Sequence, residues 1–424
     1  MNLGVIGAGW AGCAAAVEAV DAGARVTLFE AARMPGGRAR RVDIGGQALD
    51  NGQHILIGAY AECLRLMRRV GVPTADMLLR LPLQLHFPDG VSLRLPRLPA
   101  PWHVVAGMLR ARGLSGAQRR AFLAASLAWK RNGWRAAEGA SVAQLAAALP
   151  PRVRQRFIDL LCLSALNTPA EDASAQVFLN VLRDSLGAAR GASDFLLPRT
   201  DLSTLFPQAA CGWLAARGAR VRLGARVLGI AREAAQWRVR GAAGDAAFDD
   251  AYDALIVATP LPDAARLLPA LAPAADGMRH EPITTVYVQA SGVRLPAPLL
   301  ALNDDAMQPA QFVFDRGQLG NAPGLLAFVA SASSRWLDWD DAQWLQAART
   351  ALAQWAIDAP CRLVKVITEK RATFACTPRW RRPAARIDDR LWLAGDYVQG
   401  PYPSTLEGAV RSGIAAAHAL AAAR

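Results

Sequence analysis

The run Gly7-Ala8-Gly9-Trp10-Ala11-Gly12 is a GxGxxG series, and an acid, Glu30, follows 18 positions after its last glycine. These residue types at this spacing suit a dinucleotide. Gly7 permits a tight turn, Gly9 lets a pyrophosphate approach the backbone, and Gly12 lets a helix close on a strand. Trp10 and Ala11 open that helix, whose unpaired N–H groups and positive dipole end suit phosphate. Glu30, with Ala31 beside it, stands where a ribose diol is held and a 2′-phosphate is repelled.

Two further stretches extend this chemistry. In "AARMPGGRAR", Gly36 and Gly37 offer a second close backbone approach and Arg38 a fixed cation for a pyrophosphate. A nicotinamide dinucleotide needs none of this, so the expected cofactor is FAD. In "RLWLAGDYVQGPYPSTLEGAVRSGIAAAHAL", Gly395-Asp396 ends a buried strand, with Asp396 placed to bond the ribityl chain or hold the pyrophosphate region. Ser404 or Thr405 reads as the N-cap of a helix running from about Leu406 to Ala422, its N-terminus pointed at the flavin.

The segment "LDNGQHILIGAY" holds His54, one of only five histidines. An imidazole is suited to proton transfer near neutral pH, but a histidine on a strand is as often structural. Asp50 would orient it or bond local backbone. Tyr60, Tyr397 and Tyr402 are rival proton donors.

The elements that must position these groups read as strand Leu3–Ile6, helix Trp10–Asp21 and strand Arg25–Glu30. Next come a strand pair over 225–241, where Val227 presents its backbone to adenine, and a buried strand before Val257-Ala258-Thr259-Pro260. The fold class is therefore α/β: a discontinuous Rossmann-type FAD-binding domain (1–60, 205–265 and 375–424) with a mixed-sheet, helical-cap substrate domain (61–204 and 266–374). Periodicity predicts cap helices over Ala61–Val70, Pro101–Ala111, Ala117–Asn132, Ala143–Leu149, Val153–Leu163 and Val177–Leu186. Strands are expected in "ITTVYVQA", "AQFVFD" and "LLAFVAS", and a helix over Asp341–Ala356. Trp102, Met108, Trp129 and Trp134 read as core, because aromatics on helices usually pack inward.

With 53% hydrophobic and 20% charged residues among 424, the chain is a folded globular protein. Its apolar runs are too short or too interrupted for a signal peptide or a membrane span. Six scattered cysteines without a CxxC pair argue against zinc and iron–sulfur sites and suit a reducing cytoplasm. The net charge of +13 is almost all arginine, Lys130, Lys365 and Lys370 being the only lysines. A GC-rich genome accounts for such a bias. The functional account is anionic lipid, through Arg65, Arg68 and Arg69 or through Arg110, Arg112, Arg119 and Arg120. No nucleic-acid-binding motif accompanies the charge.

On "GAGWAGCAAAVEA", "LDNGQHILIGAY" and "GDYVQGPYPSTLEGAVRSG" the sequence resembles the FAD-dependent amine oxidase and phytoene desaturase superfamily. More narrowly it is similar to the squalene-associated branch, the hydroxysqualene dehydroxylases of hopanoid biosynthesis. The resemblance implies removal of the hydroxyl of hydroxysqualene, a long apolar isoprenoid, to give squalene. An acid would protonate the leaving oxygen, reduced flavin would deliver hydride, and an apolar tunnel would exclude water. It places Gly52, Gln53 and His54 beside the flavin and makes His54, Gln53 and Tyr402 the catalytic candidates. Peripheral contact with the inner face of the membrane would suit a lipid substrate. No second dinucleotide motif or metal-cluster ligand set appears, so an external electron donor is expected. The alternatives are an oxidative carotenoid-type desaturase or amine oxidase of the same superfamily, or an isoprenoid-binding escort protein without functional flavin. Glu30, Arg38 and Asp396 speak against the last.

Overall fold

A computed structural model describes residues 1–423. Its first structural unit is a five-stranded parallel sheet in the order Arg220–Leu223, Arg25–Glu30, Asn2–Ile6, Ala254–Val257, Leu391–Leu393. The central strand is buried on both faces, which is why it reads as a continuous apolar run instead of an alternating one. The helix Trp10–Asp21 follows it, and the helix Leu406–Ala422 packs against that helix almost backbone to backbone. A Cβ on Gly413 would lie 2.1 Å from the Ala11 carbonyl oxygen, so only glycine allows the approach. A three-stranded antiparallel meander, Ala225–Glu233, Gln236–Ala243 and Ala246–Tyr252, leads into the fourth strand of the parallel sheet.

The second unit is a five-stranded antiparallel sheet in the order Leu299–Ala301, Phe312–Asp315, Leu325–Ser331, His280–Ala290, Cys361–Phe374. Four of its strands are largely buried on both faces, while the edge strand Cys361–Phe374 is mostly half-buried or exposed, and the period of two sends alternate residues to different neighbours. Val286, Val288, Val313, Leu326 and Phe328 pack on the helix Asp341–Ala353 through Trp344, Ala348 and Ala351. Phe312, Phe314, Ala327 and Val329 face the other way, into the core shared with the helical cap.

The cap helices are Ala61–Arg69, Trp102–Arg110, Gly116–Arg131, Val142–Leu145 and Ala175–Leu186, with shorter pieces. Where one helix is expected over Val153–Leu163, an α-turn at Pro151–Val153 passes through a π-helical stretch, Arg154–Asp159, into Leu160–Leu166. The expected Ala143–Leu149 helix stops at Leu145, ahead of Pro150-Pro151, whose geometry disfavours helix in the residue before each proline. Trp129 and Met108 are buried as expected, but Trp102 is 64% exposed.

All six cysteines are free. Among the described residues no helix is long and apolar enough to cross a membrane, and no group of His, Cys, Asp or Glu is arranged to hold a metal ion.

Candidate functional site

A cavity of about 780 Å³ runs between the two sheets. Two helix N-termini open onto it: Gly9, Trp10 and Ala11 from one, and Thr405, Leu406 and Ala409 from the other. Each contributes backbone N–H groups that have no partner within their own helix, and the positive end of a dipole. Gly9, ahead of the first helix, provides no side-chain cap, so those donors stay available. Thr405 caps the second, its Oγ1 accepting from the Gly408 N–H at 3.1 Å. Ser404, the other candidate cap, instead donates its hydroxyl to Asp396 Oδ2.

The glycine series works at close quarters. A Cβ on Gly12 would lie 1.8 Å from the Gly7 carbonyl oxygen, so the helix start and the strand end can meet only through a glycine. Gly12 accordingly packs behind the cavity and does not line it. Gly7 and Gly9 do, and Gly36 and Gly37 face them: the Gly36 N–H donates to the Ala8 carbonyl at 2.8 Å, and a Cβ on Gly37 would come 3.3 Å from the Gly9 Cα. Glu30 lines the cavity with Ala31. Its carboxylate accepts from the Ala8 and Ala32 N–H groups, both at 2.8 Å. Those two bonds orient the group and leave a second lone pair on each oxygen for a diol. Val227 also lines it. There the ladder steps from Val227 opposite Gly241 to Gly229 opposite Arg240, so Leu228 bulges out unpaired.

Arg38 and Asp396, read separately from the sequence, form one unit. Arg38 Nη2 donates to Asp396 Oδ1 at 2.6 Å, and Nη1 donates to the Ala372 carbonyl at 2.8 Å. Burial alone would raise the Asp396 carboxyl, but the Arg38 guanidinium and the Ser404 hydroxyl outweigh it and hold the group below its ordinary value. The cation expected at Arg38 is therefore half of a neutralised pair, with Gly395 beside it in the cavity wall.

Gly52, Gln53 and His54 lie together on the same wall. Gln53 is held by its backbone, the N–H donating to Thr285 Oγ1 at 3.3 Å, while both polar atoms of its buried side chain lack a protein partner. His54 is half-buried, with Nδ1 2.9 Å from the Gly52 carbonyl oxygen. A carbonyl only accepts, so Nδ1 carries the proton and Nε2 holds the lone pair of the neutral ring. Burial lowers the ring's pKa below its ordinary value, the Gly52 carbonyl opposes this, and the Arg38 charge adds to it. Asp50 does not touch His54. Its Oδ1 accepts from the Leu202 N–H at 2.8 Å, and its carbonyl accepts from Tyr287 Oη at 3.0 Å and from the Gly52 N–H at 2.7 Å.

The tyrosines separate. Tyr402 is not among the cavity-lining residues, and its hydroxyl donates to Asp184 Oδ2 at 2.8 Å. Tyr60 and Tyr397 do line the cavity, and Tyr397 Oη is buried without a partner. Burial, then the charge of Asp396, pushes the Tyr397 phenol up, so it stays protonated. Thr259, in the Val257–Pro260 run at the end of the buried strand, is a site residue that the sequence pattern does not single out; its hydroxyl is another unpartnered group on this wall. Gln53, Thr259 and Tyr397 thus present unsatisfied polar atoms to a cavity built on two helix N-termini and paired glycine turns. Buried polar groups ordinarily have partners, so this set fits a polar, phosphate-bearing ligand such as FAD. Beyond it the wall turns apolar: Leu163, Ile283, Phe312, Phe314 and Val329.

The sequence profile of the flavin-containing amine oxidoreductases matches residues 10–421. The hydroxysqualene dehydroxylase of Zymomonas mobilis is 26% identical over 438 residues, spanning 97% of this chain and 97% of that protein. That of Rhodopseudomonas palustris is 28% identical over 455 residues, spanning 99% of this chain and 98% of its own. The zeta-carotene desaturase of Synechocystis is 43% identical over 72 residues, which is 17% of this chain and 15% of that protein. Among solved structures, an oxidoreductase from Methanosarcina mazei has the same fold, with a TM-score of 0.74 at 15% identity, covering 98% of this chain and 99% of that one.

Proposed function

The chain belongs to the flavin-containing amine oxidoreductase family and is an FAD oxidoreductase, and from that premise we propose that it converts hydroxysqualene to squalene. The observation that carries this reading is the extent of the likeness, which runs the length of the dehydroxylases but over only a short stretch of the desaturase. The apolar end of the cavity, lined by Phe312, Phe314, Ile283, Val329 and Leu163, suits a hydrocarbon chain.

The residues that would hold FAD are Gly7, Gly9, Trp10, Ala11, Gly36 and Gly37 at the phosphates, Glu30 and Ala31 at the adenosine ribose, and Val227 at adenine. Thr405, Leu406, the Arg38–Asp396 pair with Gly395, and Gly52 to His54 would hold its other half. Gly12 supports the turn from behind. Bound and reduced, the flavin supplies hydride.

The remaining chemistry falls to the chain. The C–O bond breaks, a proton joins the departing oxygen to make water, and hydride joins the carbon. Hydroxide is a poor leaving group, so the proton must be available as the bond breaks. His54 is the proposed donor, through Nε2, because Nδ1 is committed to the Gly52 carbonyl. That proton exists only in the imidazolium, which the site disfavours, so turnover per encounter rises as pH falls through and below the ordinary histidine range. Gln53 and Tyr397, with uncommitted polar groups, orient the substrate oxygen and the cofactor. Tyr402, tied to Asp184 outside the cavity wall, is not a donor in this scheme. The apolar walls keep water from recapturing the carbon centre. An external reductant must supply the electrons.

The test is a single turnover without oxygen: reduce the bound flavin, add hydroxysqualene in detergent, and follow flavin reoxidation alongside squalene. Coupled reoxidation and squalene formation is the expected result. No reoxidation, together with bleaching of the oxidised enzyme by phytoene or another carotenoid precursor, moves the assignment to a desaturase.

A further inference from the structure

Residues 90–137 carry nine Lys or Arg residues and no Asp or Glu, and so supply most of the chain's net charge of +13. Eight of the nine are exposed: Arg94, Arg97, Arg110, Arg112, Arg120, Lys130, Arg131 and Arg135. None of the nine forms an ion pair among the described residues. The other candidate face behaves differently. Arg65 is held by Glu18 and Glu62, and Arg69 by Asp21.

The same segment exposes apolar surface. On the helix Trp102–Arg110, Trp102, Val105, Ala106 and Leu109 recur at i, i+3, i+4 and i+7, and none of them is buried. Trp102 is 64% exposed and Leu109 58%. The opposite face, His103, Gly107 and Met108, is the buried one. Gly107 lies flat on the chain that leads into the helix, where a Cβ would meet the Leu95 side chain at 2.6 Å and the Arg94 carbonyl oxygen at 3.0 Å. Arg119 Nη1 donates to the Leu109 carbonyl at 3.1 Å and ties on the next helix, whose exposed stripe is Arg120, Ala124, Leu127 and Arg131. Leu98 extends the patch on the connecting loop.

We infer that this face docks on an anionic lipid surface, with Trp102, Leu109 and Leu98 entering the interface and the surrounding arginines meeting lipid phosphates. Charge selects the occupant. A second copy of the chain would set like charges against each other. A polynucleotide would want aromatic platforms for its bases, and the stripe is aliphatic apart from one tryptophan. A helix lying in the plane of the interface, apolar side in and basic rim out, matches what is present. The buried side of the segment, through Leu95, Met108, Phe122 and Trp129, joins the core that includes Phe312, Phe314 and Val329 of the cavity wall. The inference goes beyond the proposed reaction and is tested without substrate.

The experiment is flotation of the flavin-loaded protein with vesicles of phosphatidylcholine alone or mixed with phosphatidylglycerol. Wild type is expected to float with the mixed vesicles and to be released by salt. Trp102→Ser with Leu109→Ser lowers the partition coefficient at least about tenfold, since each side chain loses its burial in the interface. Arg110→Gln and Arg120→Gln each lower it about fivefold, while Arg68→Gln on the other face leaves it unchanged. All of these side chains are exposed, so unchanged melting temperatures confirm intact folds. Failure to float with anionic vesicles overturns the inference, as does a serine double variant that floats like wild type. Preferential binding of a single-stranded polynucleotide, or a lipid-free dimer abolished by the serine changes, overturns it in favour of that occupant.

Discussion

Replacing Asp50 by Asn tests the electrostatics beneath the His54 turn. Burial pushes the Asp50 carboxyl up to about 6, with Arg316 and the Leu202 N–H pulling the other way, and Oδ2 has no partner. An unfolded aspartate titrates near about 3.9, so the gap of about two units is worth about 3 kcal/mol. The sign follows from proton counting. Between about pH 4 and 6 the folded chain holds more protons at this site than the unfolded chain. Stability therefore falls as pH rises through that window and stays lower above it. Asn keeps the oxygen that accepts from Leu202 and cannot ionise, so the variant escapes the loss. Whatever constant offset the amide brings, the difference in stability between variant and wild type should grow by about 3 kcal/mol from the acid to the neutral side. For a chain of this length that is about 3 °C in melting temperature. Paired melting curves across the window read it directly, because groups common to both proteins cancel. A temperature difference that stays constant with pH would refute the reasoning.

Other expectations concern the cofactor and the proton. Gly12→Ala forces a Cβ to 1.8 Å from the Gly7 carbonyl oxygen, so the purified variant should lose flavin absorbance while retaining helical and sheet signals. His54→Ala should keep flavin and lower turnover roughly 10²–10⁴-fold, and wild-type kcat/KM should rise as pH falls below the ordinary histidine range; a flat profile would move the proton to another group. Tyr397→Phe should retain flavin and lower kcat without shifting that profile, whereas Tyr402→Phe should change turnover little. Gly413→Val should separate the two helices that meet at Ala11, costing about 3 kcal/mol, seen as a lower melting temperature and weaker flavin retention.

Much of this architecture is local and so readable in advance. The first strand, helix and second strand follow from an apolar run, a glycine turn and a helix ended near Gly23, and Trp10–Asp21 and Arg25–Glu30 fall where the pattern puts them. Leu406–Ala422 likewise follows from its cap at Thr405. Interactions between distant segments leave no such signature. The partner of Arg38 lies 358 positions away, and nothing near either residue announces that their charges cancel. Asp50 sits four positions before His54, yet its side chain turns to Leu202. The π-helical stretch Arg154–Asp159 has no composition cue. Trp102 is exposed instead of core because its helix is apolar on both sides, and periodicity alone cannot say which side the core claims.

The pairing of Arg38 with Asp396 bears on the proposed dehydroxylation. Loss of a hydroxyl leaves positive charge on the substrate carbon, and an uncompensated guanidinium nearby would raise the cost of that step in a dry site, where charges are poorly screened. Cancelling it with Asp396 would remove that penalty, while the positive ends of two helix dipoles would remain to hold the phosphates and reduced ring of a bound FAD. Those dipoles are partial charges that fall off within a turn, so they would act on a cofactor bound against them far more than on a carbon farther along the cavity. The His54 ring follows the same rule. Its pKa lowered chiefly by burial, it adds no standing cation to the wall while neutral and gains one only as it takes up the proton to be delivered. The site is thus organised to bind an anionic cofactor through backbone while keeping formal positive charge away from where the proposed chemistry creates it.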